Sequence, residues 1–227
     1  MIDAQRHLSV FDPDAFGNRR VDVIGVGATG SKVVLSLAKL GIENIRVWDP
    51  DVVEKHNVGN QAFGNDDVGK TKVAALAEMV LRQTGLEIEQ RAEYVDGTQA
   101  LGPIVFLLTD TMASRKQIWE GGIRFKSRTK LMIETRLGAD SMYIYSINPT
   151  ALPEVEGWES TLCDDAKVER SACGSKTSVG PSAGILAEKA VWQLIRWFAI
   201  ENGGEDVLDH EIMECFRPPA IYTRQFE

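Results

Sequence analysis

Cysteine and histidine are scarce, with three of each in 227 residues. Cys163, Cys173 and Cys215 are odd in number and widely spaced, which is not a disulfide framework. There is no Cys-x-x-Cys pair, and His7, His56 and His210 are scattered, so no ligand set for a structural zinc is visible. No apolar run reaches the roughly 20 residues that span a bilayer, and a membrane partner is not expected. Positive charge is also in deficit: 25 basic against 33 acidic residues gives a net charge of −8. A general nucleic-acid binder is usually basic, so that role is disfavoured. Residues 1–16 mix charged and apolar side chains and lack the apolar centre of a signal peptide. A cytoplasmic protein is expected. No internal repeat and no linker divides the chain, which is long enough for one large core. Residues 1–227 are read as a single domain.

What is present alternates between two periodicities. Residues 21–26 (VDVIGV) are apolar and β-branched and predict a buried strand. From 28 to 40, Val33, Val34, Leu37 and Leu40 recur at helical spacing, and Gly41 is a natural stop. Residues 43–48 predict a second strand ending at Asp49, completing a βαβ unit. A helix over 69–84, strands at 87–95 and 104–108, and a helix over 114–120 follow. Two more strands are expected at 130–134 and 142–147, a late helix over 182–198, and one strand within 210–227. The pattern predicts an α/β fold: a Rossmann-like, doubly wound, mostly parallel sheet with an antiparallel C-terminal extension. Residues 148–181 show no sustained periodicity and read as a long mobile crossover loop. On the late helix, Trp192, Trp197 and Phe198 read as core or as an interface between two copies.

Gly25, Gly27 and Gly30 stand in G-x-G-x-x-G spacing between the first strand and helix. Glycines there permit a tight turn and the approach of phosphates to a helix N-terminus. Asp49, ending the second strand, is placed to accept hydrogen bonds from ribose hydroxyls. These residues favour a nucleotide but do not choose between NAD, FAD and ATP.

The run DPDVVEKHNVGNQAFGNDDVGKTKV, residues 49–73, alters the balance. An ordinary dinucleotide site has no use for this polar insertion. It carries Asp51, Asn57, Asn60 and Gln61, then Lys72 at a helix start, from which a lysine can reach back over the glycine loop and neutralise phosphate. The pattern D-x-D-x-V-x-x-x-N-x-x-x-Q followed by D-V-G-x-x-K resembles the ThiF/MoeB/HesA group, the ubiquitin-activating-enzyme-like adenylyltransferases, over roughly residues 5–198.

That resemblance implies ATP and Mg²⁺ as cofactors. It implies Asp49 at the ribose, Asn57 and Lys72 at the phosphates, and Asp110, after a buried strand, holding Mg²⁺. It implies that Arg6 reaches the nucleotide of a partner subunit in a homodimer, and that Cys173, on the crossover loop, is the acceptor cysteine. The sequence departs from the family at Asn60, where an arginine is usual. The paired cysteines of many bacterial members are absent, and the chain resembles the compact bacterial or phage-type members. The implied activity is adenylation of the C-terminal carboxylate of a small ubiquitin-like or sulfur-carrier protein or peptide, with transfer to a cysteine as a further step. Two other readings stand beside it: an NAD(P)-dependent oxidoreductase, and a nucleotide-binding scaffold without catalysis.

Overall fold

The computed structural model describes residues 2–138, 140–164 and 179–227. Its strands alternate between two cores. In β1 (Val21–Ile24), Val21 and Val23 join one hydrophobic cluster and Ile24 the other. The same alternation runs through β2 (Ile45–Trp48), β4 (Ile104–Leu107) and β5 (Leu131–Leu137). A strand buried on both faces needs helices on both sides. One face is covered by α2 (Gly30–Lys39), α3 (Lys72–Thr84) and α6 (Gly180–Glu201). The other is covered by α4 (Met112–Ile118), the short π-helical turn Trp119–Ile123 and α5 (Leu152–Glu159).

The eight strands among the described residues form one sheet, in the order β3-β2-β1-β4-β5-β6-β7-β8, with β3 at Glu89–Arg91, β6 at Ser141–Ile147, β7 at Glu211–Phe216 and β8 at Pro219–Arg224. The pairs from β3 to β5 are parallel, and those from β5 to β8 antiparallel. This is the expected Rossmann-like α/β architecture. Before the sheet, the short α1 (Pro13–Phe16) brings Phe16 beside Phe11, and both rings pack on Phe198 of α6 at 5.3 Å. Among the described residues no helix is long and apolar enough to cross a membrane.

One polar residue interrupts the buried strands near their N-terminal end. Asp22 in β1 is fully buried and accepts bonds from Arg46 Nε (2.5 Å), Trp48 Nε1 (2.8 Å) and Gly102 N (2.6 Å). It joins β1, β2 and the chain entering β4 on the side away from the glycine turn.

Three sequence expectations are corrected. The stretch 148–181 is not all loop. Val155 and Trp158 stand one helical turn apart on α5 and bury against the π-helical turn, where the Trp158 ring meets Trp119 at 4.6 Å. Only two residues of so short a helix are buried, which leaves little periodicity to read. The C-terminal segment holds two strands, β7 and β8, rather than one. The strand expected at 87–95 pairs only over Glu89–Arg91, because it lies at the sheet edge beside β2 alone.

Candidate functional site

From β1 the chain moves outward on one side, to β2 and β3, and returns to β4 on the other. The crevice beyond the C-terminal ends of β1 and β4 is therefore the switch point at which such sheets bind ligands. A cleft of about 600 Å³ opens there, within the range of small-molecule sites. Its walls are the turn after β1 (Gly25, Gly27, Ala28, Thr29), the end of β2 (Trp48 to Asp51), the segment after β4 (Leu108 to Met112) and the end of β5 (Thr135 to Leu137).

The glycines have separate tasks. Gly25 has φ +90°, and a Cβ on it would lie 2.7 Å from the carbonyl oxygen of Leu108. The turn thus presses against the end of β4. A Cβ on Gly30 would lie 2.0 Å from the Gly25 oxygen, so Gly30 lets α2 close onto its own turn and does not line the cleft. Gly27 lines it, and a Cβ there would meet nothing within 4 Å. Gly30→Ala is expected to lower the unfolding free energy by about 1–3 kcal/mol through overpacking. The check is a lower urea midpoint at unchanged slope.

Residues 51–72 fold back on themselves. Val52 and Thr71 form an antiparallel bridge, Val53 N donates to Lys70 O, and Lys72 N donates to Asp51 O. Thr71 caps α3 by accepting from Ala74 N. Lys72, the first residue of that helix, is thereby returned to the end of β2. Its Nζ lies 2.7 Å from Asp51 Oδ2 and 3.9 Å from Asp49 Oδ1. Asp49 accepts from Val26 N and Asp51 N, both at 2.9 Å, and so ties the glycine turn to β2. Burial raises the Asp49 carboxyl above its ordinary value, and the Lys72 charge and the two amide bonds offset that only in part.

The other expected residues divide. Gln61 and Asp110 line the cleft with Asp49, Asp51 and Lys72. Thr111, not Asp110, caps α4, its hydroxyl accepting from Ser114 N. Asp110 is exposed at the cleft. Asn57 is buried behind the wall, where its side chain accepts from Glu54 N and closes a 3₁₀ turn. Asn60 also stands outside the lining, and its carbonyl accepts from Lys32 Nζ at 2.5 Å. Arg6 is exposed on the N-terminal turn and is not among the residues of the cleft. Cys173 lies outside the described residues.

Gln61 Oε1 and Thr109 Oγ1 are buried and have no hydrogen-bond partner in the protein, and both residues line the cleft. Buried polar atoms are nearly always satisfied, so the two fit a polar ligand that offers a hydroxyl or amine donor to Gln61 Oε1 and an acceptor to the Thr109 hydroxyl, as a nucleotide can. Among the described residues no three metal-ligating side chains cluster. A cation at Asp110 would therefore draw its other ligands from phosphate and water, as Mg²⁺ commonly does.

A charged group on the β5 wall was not read from the sequence. Glu134 is fully buried between Arg115 Nε (2.8 Å) and Arg136 Nε (2.9 Å), and Trp158 Nε1 donates to it at 3.3 Å. It binds α4, β5 and α5 together. Arg136 also donates to the Thr161 carbonyl and hydroxyl. The available signal is the run Glu134-Thr135-Arg136 within an otherwise apolar strand.

Comparison with known proteins bears on this geometry. The sequence profile of the ThiF family matches residues 5–212. Ubiquitin-like modifier-activating enzyme 5 of Drosophila simulans is 34% identical over 77 residues, which is 34% of this chain and 19% of that protein. The NEDD8-activating enzyme E1 catalytic subunit of Caenorhabditis elegans is 35% identical over 68 residues, 30% of this chain and 16% of that protein. The alignments thus span less than a fifth of these relatives. Among solved structures, E. coli MccB with MccA-N7isoASN superposes at a TM-score of 0.74 with 18% identity, covering 94% of this chain and 66% of that one. PaaA gives 0.71 and 18%, covering 99% and 69%. MccB with ATP gives 0.71 and 18%, covering 94% and 65%. At these identities the structures bear on the fold alone.

Proposed function

The chain belongs to the ThiF family, and on that premise we propose that it adenylates the C-terminal carboxylate of a small protein or peptide with ATP. The observation that carries this reading is Lys72 Nζ at the end of β2, 2.7 Å from Asp51 and 3.9 Å from Asp49. A site for NAD needs no lysine there, whereas a triphosphate does. The structural neighbour MccB has been solved both with ATP and with the peptide MccA, which supports the choice of both substrates.

A C-terminal carboxylate is ionised at neutral pH, with a reference pKa of about 3.5. It attacks without a general base. One carboxylate oxygen bonds to the α-phosphorus, the bond from that phosphorus to the bridging oxygen breaks, and pyrophosphate leaves with the electron pair. The difficulty is to bring an anion to a polyanion, so the protein must position and neutralise. The β1–α2 turn offers backbone amides and the positive end of α2. Asp49 takes the ribose, and Lys72 takes phosphate charge. Asp110 would hold Mg²⁺, which supplies further positive charge to the phosphate oxygens. The reading extends to Cys173 as an acceptor and to Arg6 as a contact with the cleft of a second copy.

Calorimetric titration tests it. ATP·Mg²⁺ is expected to bind and NAD to produce no heat of binding. Binding of NAD without ATP would overturn the proposal in favour of hydride transfer.

A further inference from the structure

The cleft is poor in uncommitted positive charge. Its described lining carries four acids, Asp49, Asp51, Glu93 and Asp110, against three cations, Lys72, Arg115 and Arg136. Each of those cations is already paired: Lys72 with Asp51, and both arginines with Glu134. ATP brings about four negative charges at neutral pH, and its terminal phosphates lie furthest from the ribose acid. The cations in place do not balance them.

One further cation stands just behind the wall. Lys32 is the third residue of α2, after the glycine turn. Its Nζ donates to the carbonyl of Asn60 at 2.5 Å and to that of Gly180 at 3.3 Å. Asn60 precedes Gln61, whose side chain lines the cleft with an unsatisfied oxygen. Among the described residues no carboxylate pairs with Lys32. Burial lowers its pKa, and no anion raises it. A charged amine held only by neutral carbonyls gains by exchanging them for phosphate, because hydrogen bonds between two ions are about twice as strong as neutral ones. Its side chain is a flexible four-carbon stem, and it springs from the helix whose N-terminus faces the same ligand.

We infer that Lys32 swings from the Asn60 and Gly180 carbonyls onto the terminal phosphates of ATP, as a further phosphate-binding cation of the cleft. The assignment rests on the adenylation reading and adds to it a residue that contacts the leaving pyrophosphate. Both carbonyls would be released when the nucleotide binds.

The test compares ATP·Mg²⁺ with AMP by calorimetry on the whole protein, for wild type, Lys32→Gln and Lys32→Gln/Asn60→Arg. Glutamine removes the charge and keeps an N–H donor, on a side chain one atom shorter. Thermal melts without nucleotide confirm that each variant folds, and Lys32→Arg serves if the glutamine variant does not. ATP affinity is expected to fall about tenfold or more in Lys32→Gln, in line with the loss of one charge-assisted bond. AMP affinity is expected to hold, and Asn60→Arg to restore most of the loss. Lys32→Arg is expected to keep its ATP affinity. Unchanged ATP affinity in Lys32→Gln, an equal fall for ATP and AMP, no restoration by Asn60→Arg, or a loss in Lys32→Arg would each overturn the assignment. Wild-type protein that binds no ATP would instead remove the adenylation reading itself.

Discussion

Lys72→Met is expected to weaken ATP binding by about 10- to 100-fold, the equivalent of one charged hydrogen bond of about 1.5–3 kcal/mol. The effect has two sources. The attraction of the ammonium for phosphate is lost, and Asp49 and Asp51, which it holds at 3.9 and 2.7 Å, are left facing a polyanion. The fold bears the change better than the function does. Asp51 is more than half exposed, so water replaces most of that pair, and an exposed pair contributes about 1 kcal/mol or less. Asp49 keeps its two backbone donors. Calorimetry and a urea melt on the same sample separate the two effects. Unchanged ATP affinity would remove Lys72 from the phosphate site. A stability loss as large as the binding loss would make it a structural residue.

Asp22→Ala is expected to have the opposite profile and the largest effect on stability. Asp22 is fully buried at the far end of β1, and it is the only ion partner of Arg46 among the described residues. Arg46 is also nearly enclosed, with its guanidinium 4.6 Å over the Trp48 ring and bonded to Ala100 O. Removing the carboxylate strands that charge and leaves Trp48 Nε1 and Gly102 N without an acceptor. Breaking a buried pair on one side costs about 3–5 kcal/mol, a large part of the stability of a typical domain. Urea unfolding measures it directly. A loss below about 1 kcal/mol would mean that Arg46 escapes to solvent and that the cluster does not brace the sheet.

The contrast between these aspartates explains what the sequence could disclose. The glycine turn, Asp49 and Lys72 are legible because local chain geometry dictates them. A strand, three spaced glycines and a helix leave little choice, and the 51–72 segment closes on itself with short-range bonds. Of the Glu134 group only the charged run Glu134-Thr135-Arg136 is visible, because Arg115 meets Glu134 from α4, nineteen residues earlier in the sequence, and no spacing records that ion pair. The helix α5 was hidden for a related reason. Val155 and Trp158 lie in a largely polar stretch, and distant residues such as Trp119, Met132 and Phe226 make them a buried face. Asn57 and Asn60 show the limit of residue type as a guide. Both are amides in the expected motif, yet one closes a turn and the other lends its backbone carbonyl to Lys32.

The order of the strands also governs how the protein comes off the ribosome. Residues 21–24 of β1 take residues 45–48 on one side and residues 104–107 on the other. The first βαβ unit can pair as soon as it is made, but one edge of β1 stays open until β4 has been synthesised. Through that interval the nascent chain exposes Val21, Val23 and Ile24 beside unpaired backbone groups, a template for wrong pairing. The cleft is not complete until β4 docks, so a ligand bound there would stabilise the finished sheet but could not guide its first half.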